Sequence, residues 1–181
     1  AVNEPLLQVS KVSGLEVADL NETNVYSIVI SHDPQSAANV PSMRLVDTLP
    51  ASIAFVGASP VPDAVIGQTL IWSNATLMAL VGDGIAPFTI GESSVSILVT
   101  GRVVGCDPSV INSVVVNYGC SDTNQCLTAV DDVNLITAPV LTPPGLTGTL
   151  SLNTCGGTKF VTVTNSGATA HGFFFNDTAT T

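Results

Sequence analysis

A few side chains in this 181-residue sequence have types and spacings that could do chemistry. Asp131 and Asp132 are adjacent carboxylates. As a general acid and base they would have to face one another, and neighbours on an extended chain point to opposite faces. Joined by Asn134, Asp107 or Asp122, they could instead supply the oxygen ligands that calcium takes from loops, although no EF-hand spacing is present. His32 stands beside Asp33 in "SHDPQS". No Gly-x-Ser-x-Gly elbow or comparable nucleophile accompanies it, so it reads as a solvated turn histidine. Trp72, with Phe55 and Tyr118, could build a sugar-stacking platform, but a lone tryptophan in a sandwich strand is more often core. No residue is assigned a catalytic, cofactor-binding or metal-binding role.

The four cysteines, Cys106, Cys120, Cys126 and Cys155, lie in the second half of the chain. They form no pair of CxxC knuckles, and His32 and His171 are remote from each other, so a zinc site is not supported. Disulfides are expected instead. "CSDTNQC" is a turn-rich loop that a bridge from Cys120 to Cys126 would close, leaving Cys106 with Cys155. Sequence alone permits three pairings of four cysteines. Disulfides imply an oxidising compartment, and Asn-x-Ser/Thr sequons at Asn21, Asn74 and Asn176 agree with one. The start of the chain is not a signal peptide, and Ala1 is expected to be a mature N terminus.

Composition narrows the classes further. Acidic side chains number 14 against 4 basic ones, for a net charge of −10. Such a surface repels a polyanion, and Lys11, Arg44, Arg102 and Lys159 are too scattered to form a basic stripe, so nucleic acid is excluded as a partner. No apolar run approaches the roughly 20 residues of a membrane span. Hydrophobic residues make up 45% of the chain. Val, Ile, Leu and Ala dominate them, interrupted by Ser, Thr, Asn and Gly, which is strand and turn chemistry.

The elements that would position any site are therefore strands. Period-two alternation recurs in "LLQVSKV", "VYSIVIS", "MRLVDTL", "IAFVGAS", "TLIWS", "SVSILVTGRVV", "VINSVVVNY" and "AVDDVNLIT". In "VYSIVIS", Tyr26, Ile28 and Ile30 share one face. "SHDPQSAAN", "GASPVPDAVIG" and "VGDGIAP" read as loops, and "NATLMALVG" hints at a helical turn. About seven short strands at sandwich spacing predict an all-β, immunoglobulin-like sandwich.

Several of these segments also match a known pattern in order and spacing. "YSIVIS…SAANVPSMRLVDTLPASIAFVGAS", then "LIWSNATL", "GESSVSILVTGRVV" and "INSVVVNY", resembles the surface repeat called domain of unknown function eleven. Asp47, Thr48, Leu49 and Pro50 supply its "DTLP", Trp72 its Trp strand, and Gly91 with Glu92 its later turn. "SHDPQS" replaces the usual Asn-Thr-Gly turn, and the cysteines are not part of the pattern. The resemblance implies an immunoglobulin-like sandwich of bacterial and archaeal cell-surface proteins, often in tandem. It implies no chemistry.

The pattern starts a second time. "FVTVT", Phe160 to Thr164, stands where "YSIVI" stood, and "NSGATAHGFFFNDTATT" tracks the residues that follow. The expected organisation is a complete sandwich over 1–137, a Pro/Gly linker over 138–149 stiffened by Pro139, Pro143 and Pro144, and a partial repeat over 150–181. Three strands cannot close a sandwich, so the partial repeat is expected to be completed by downstream sequence or by another chain through β-strand addition. The N-terminal "AVNEPLLQVSKVSG" reads as the first strand of its own domain, with a donor strand as the other reading. The functional expectation is a non-enzymatic, secreted or cell-surface structural module, a tandem surface protein or a filament subunit, whose partners are copies of itself or neighbouring surface domains. The alternative is a carbohydrate-binding or adhesin module that reads its ligand through loops, and an enzyme is the third reading.

All four cysteines are expected to be oxidised. A thiol count under denaturing conditions should return no free thiol, and two or more reactive thiols would overturn the oxidising-compartment reading. Removing a bridge should cost about 2–5 kcal/mol.

Overall fold

Alternation in the sequence becomes alternation of burial in space. Tyr26, Ile28 and Ile30 of β2 (Thr23–His32) are fully buried, while Ser27 and Val29 are half-covered on the other face. The computed structural model describes residues 4–81, 87–105, 110–119, 127–135, 140–141 and 150–151. The chain divides into two compact units, Ala1–Pro139 and Val140–Thr181.

The first unit contains β1 (Leu7–Ser13), β2, β3 (Ser42–Thr48), β4 (Ile53–Ser59), β5 (Ala64–Ile66), β6 (Thr69–Trp72), the short helix α1 (Asn74–Met78), β7 (Val95–Val103), β8 (Val110–Gly119) and β9 (Leu127–Leu135). One sheet has the order β1-β2-β7-β4 and the other β5-β6-β3-β8-β9. Every pairing in them is antiparallel. Without β5 and β6, these are the two sheets of an immunoglobulin constant-type sandwich, with strands one, two, five and four facing three, six and seven. The β5–β6 hairpin is an addition beside β3. The all-β sandwich expected from the sequence is what the chain forms, and the N-terminal segment is its own first strand, paired with β2 over Leu7–Ser13.

Two segments differ from the sequence reading. "GASPVPDAVIG" is not all loop: β4 ends at Ser59 as "IAFVGAS" predicts, but Ala64–Ile66 also pairs, with Thr69–Ile71. Pro60 and Pro62 hide this strand from a reading by composition, and Gly67, at φ 60°, takes the left-handed position of the tight turn that joins the two strands. In the second unit, β10 (Val140–Leu141) pairs with β11 (Leu150–Ser151), so the stretch read as linker carries two paired residues. The rest of the expected partial repeat, "FVTVT" and Phe173 to Phe175 included, lies outside the described residues.

The core lies between the sheets and includes Leu45, Leu49, Ile53, Leu70, Trp72, Phe88, Ile97, Val114 and Leu135. Trp72 is fully buried, and its indole Nε1–H donates to the Pro60 carbonyl at 3.0 Å. Pro50 follows β3, and its carbonyl accepts both the Ile53 N–H (3.0 Å) and the Gln68 side-chain amide (2.7 Å), so "DTLP" ends a strand in a stapled turn. Gly91, at φ 94°, with Glu92 forms the later turn, where the Glu92 carboxylate accepts the Thr89 N–H.

Gly101 of β7 lies under the Tyr26 ring, and a Cβ there would collide with Ile53 Cγ2. Gly101→Ala is expected to lower stability by about 1–3 kcal/mol. Adding Ile53→Ala should recover part of that loss, a coupling measurable by urea unfolding of both single variants and the double one.

Candidate functional site

Strand parity puts three polar residues where apolar ones belong. On β1, Leu7 and Lys11 face inward; on β3, Met43, Leu45 and Asp47 do; on β8, Val110, Asn112, Val114 and Val116 do. Lys11, Asp47 and Asn112 are all buried in the described structure. The Lys11 ammonium donates to Asp47 Oδ1 in an ion pair whose side chains are both 0% exposed. Its Nζ also stands 5.5 Å from the centroid of the Tyr26 ring, within cation–π range.

Sheet register locates the pair. Val114 of β8 is opposite Asp47 of β3 on one side and Asp131 of β9 on the other. The Lys11 backbone N–H donates to Asp131 Oδ2 at 2.6 Å while its side chain reaches Asp47. Lys11 therefore spans the row Asp131–Val114–Asp47 from the facing sheet. Four residues earlier, the Leu7 N–H donates to Tyr118 Oη at 3.2 Å, and Tyr118 is opposite Leu127. The levels of Leu7 and Lys11 thus match those of Leu127 and Asp131, and β1 runs in the same direction as β9 along this seam.

Burial disfavours charge on both partners. It pulls the Lys11 ammonium down from its ordinary range, opposed by the neighbouring Asp47 carboxylate, and pushes the Asp47 carboxyl up, opposed by Lys11. The two shifts move the partners toward an uncharged amine beside a protonated acid. Burial likewise pushes the Tyr26 phenol up. Among the described residues, Asp47 Oδ2, Tyr26 Oη and both polar atoms of Asn112 are buried without a hydrogen-bond partner. An amide held that way costs on the order of 1–3 kcal/mol per unmade bond.

Of the residues singled out in the sequence as candidate chemistry, Asp131 borders this cluster. Asp131 and Asp132 sit on β9 and point apart, Asp131 toward Lys11 and Asp132 to solvent. Asn134 Oδ1 accepts the Val110 N–H at 3.0 Å. Among the described residues, no group of three His, Cys, Asp or Glu could hold a metal ion. Asp107 and Asp122 lie outside those residues, as do His171, Cys106, Cys120, Cys126, Cys155 and Asn176. His32 corrects the expectation of a solvated side chain: its ring lies 4.5 Å from the Phe88 ring, Nδ1 is 3.1 Å from Ser36 Oγ, and Nε2 is 3.1 Å from the Phe88 carbonyl. A carbonyl only accepts, so Nε2 carries the proton, and the histidine fastens the β2 end to the segment before β7.

Trp72 is core, the reading preferred from the sequence over a sugar platform; Tyr118 is buried too, and Phe55 lies in the other sheet. Asn21 is exposed in a left-handed turn position (φ 70°). Asn74 is half-buried at the start of α1, where its Oδ1 accepts the Met43 N–H at 3.0 Å. The ion-pair partner of Asp47 lies 36 residues away in the opposite sheet. Parity was the available signal for the whole cluster, since Lys11 has the register of Leu7 and Val9, Asp47 that of Leu45, and Asn112 that of Val114.

Asp47→Ala leaves the Lys11 ammonium buried and unpaired and is expected to cost about 3–5 kcal/mol. Asp131→Ala removes one bond to a backbone N–H at the rim and should cost only about 1–2 kcal/mol. Urea midpoints of the two variants check the order, and equal losses would mean that the buried pair carries no special weight.

No family model matches the chain, and no curated protein matches it in sequence. Solved structures match it in fold. AvmM, which catalyses macrocyclization in alchivemycin A biosynthesis, superposes with a TM-score of 0.52 at 10% identity, over 79% of this chain and 93% of that one. The N-terminal domain of a Streptococcus gordonii adhesin gives 0.47 at 13% identity, over 74% of this chain and 32% of that one. The major pilin subunit of Bacillus cereus gives 0.43 at 15% identity, over 76% and 41%. The chain thus spans less than half the length of the adhesin and pilin chains. At these identities the likeness is one of fold, carried by the AvmM superposition, and the fold does not select an activity.

Proposed function

We propose that the chain is a non-enzymatic, extracellular structural module of a cell-surface assembly, either one domain of a tandem surface protein or a filament subunit joined to its neighbours by β-strand addition. The observation that carries this reading is the exposed apolar edge at β4 and β5. On the β1–β9 side, Tyr118 and Asp131 cap the Leu7 and Lys11 N–H groups of β1. On the opposite side, β4 and β5 are the outermost strands of their sheets, and Val56, Val61, Val65 and Ile66 are exposed there, Val61 at 75% and Ile66 at 67%. An apolar sheet edge of this kind suits an added strand.

The resemblance to domain of unknown function eleven supports the same reading. Its quoted residues Tyr26, Asp47, Leu49 and Trp72 are all core in this fold, so the pattern encodes a scaffold. A surface location accords with the acidic, charge-poor composition and with the sequon at exposed Asn21. No helix among the described residues is long and apolar enough to cross a membrane.

Sedimentation over a range of concentrations, with electron microscopy of the concentrated protein, tests the contact. The wild-type chain is expected to associate, and Val61→Lys with Ile66→Lys should abolish association at an unchanged melting temperature. Association that survives both lysines would move the contact away from this edge. A wild-type monomer throughout would remove self-assembly and leave only the tandem form.

A further inference from the structure

Asn112, on the inward face of β8, has both polar atoms buried with no partner among the described residues. It stands two residues from Val114, the position that Lys11 crosses between Asp131 and Asp47. Residues related in this diagonal way on one face of a sheet lie roughly 7 Å apart at the backbone. The Asn112 carboxamide and the Asp47 carboxyl therefore reach toward the same space, into which the Lys11 amine is delivered from the other sheet. We propose that Lys11 and Asn112 join in an intramolecular isopeptide bond, with Asp47 as the catalytic group that transfers the protons.

The reaction balances without a cofactor or an oxidant. Lys11 Nζ, as the free amine, attacks Asn112 Cγ. A C–N bond forms, and Asp47 passes its acid proton to the Asn112 side-chain nitrogen while its carboxylate takes one from Nζ. The Cγ–Nδ2 bond then breaks, ammonia leaves, and a secondary amide remains between β1 and β8. Burial supplies what the step needs, because it favours the uncharged amine and the protonated acid over the ion pair. The surrounding core also keeps water from competing with the amine. Attack on Asp47 itself, with loss of water, would use up the carboxyl that transfers the protons, and Asp131 is already engaged with the Lys11 backbone N–H. This inference stands apart from the assembly proposed above, since the bond lies within one chain.

Mass spectrometry of the reduced, deglycosylated chain under denaturing conditions tests it. The wild-type chain should be lighter than its sequence by one ammonia. Lys11→Ala and Asn112→Ala should each have the full mass of their own sequences, as should Asp47→Ala. Trypsin, whose sites here are Lys11, Arg44, Arg102 and Lys159, should fail to cut at Lys11 and leave 1–44 joined to 103–159. That digest needs no variant to fold. Full wild-type mass with cleavage at Lys11 overturns the proposal. So does a loss of one water, which would place the bond on Asp47. A bond that forms completely in Asp47→Ala would remove Asp47 from the chemistry.

Discussion

A lysine that enters the core from one sheet and finds its counter-charge on the other fixes much of the first unit. Shifting β1 by one residue would turn Lys11 to solvent and strand Asp47 in the core. The register with β2 and the seam with β9 are thereby tied to a single side chain. The constraint continues on the far side of Lys11. Its Nζ faces the Tyr26 ring, the ring lies over Gly101, and Gly101 has no room for a Cβ because Ile53 fills that space. A polar contact, an aromatic face and a glycine thus depend on one another across β1, β2, β7 and β4.

The same seam shows how an outer strand can be finished without another strand. β1 lies at the edge of its sheet, where unpaired N–H groups invite foreign pairing. Here Leu7 and Lys11 give theirs to Tyr118 Oη and Asp131 Oδ2. Side chains of the opposite sheet replace a ladder. β4 is treated differently, with a register shift between Phe55 and Gly57 and an exposed valine, Val56, between them.

Much of the fold was legible from residue order, because sheet formation follows alternation and alternation survives without knowledge of partners. β2, β3 and β4 match the quoted segments closely, and α1 matches the helical hint at "NATLM". β5 was not legible: a three-residue strand between prolines and a glycine carries too little pattern, and only its pairing with β6 makes it a strand. His32 was misread because both partners of its ring, Ser36 and the Phe88 carbonyl, come from loops that sequence cannot place. The buried cluster was half legible. The inward parity of Lys11, Asp47 and Asn112 could be counted along each strand, yet their convergence depends on how three strands stack, and no single segment records that.

The parallel course of β1 and β9 has a mechanical meaning. The chain enters the sandwich at the level of Leu7 and Leu127 and leaves it beyond Leu135, at the other pole. Tension applied through the two ends therefore runs along the strands. β1 would have to slide past β2, breaking its seven paired positions together, while dragging the buried Lys11 side chain out of the interior. Rupture by shear is harder than peeling a strand off one bond at a time, so the geometry places its strongest resistance along the line on which a tethered chain is pulled.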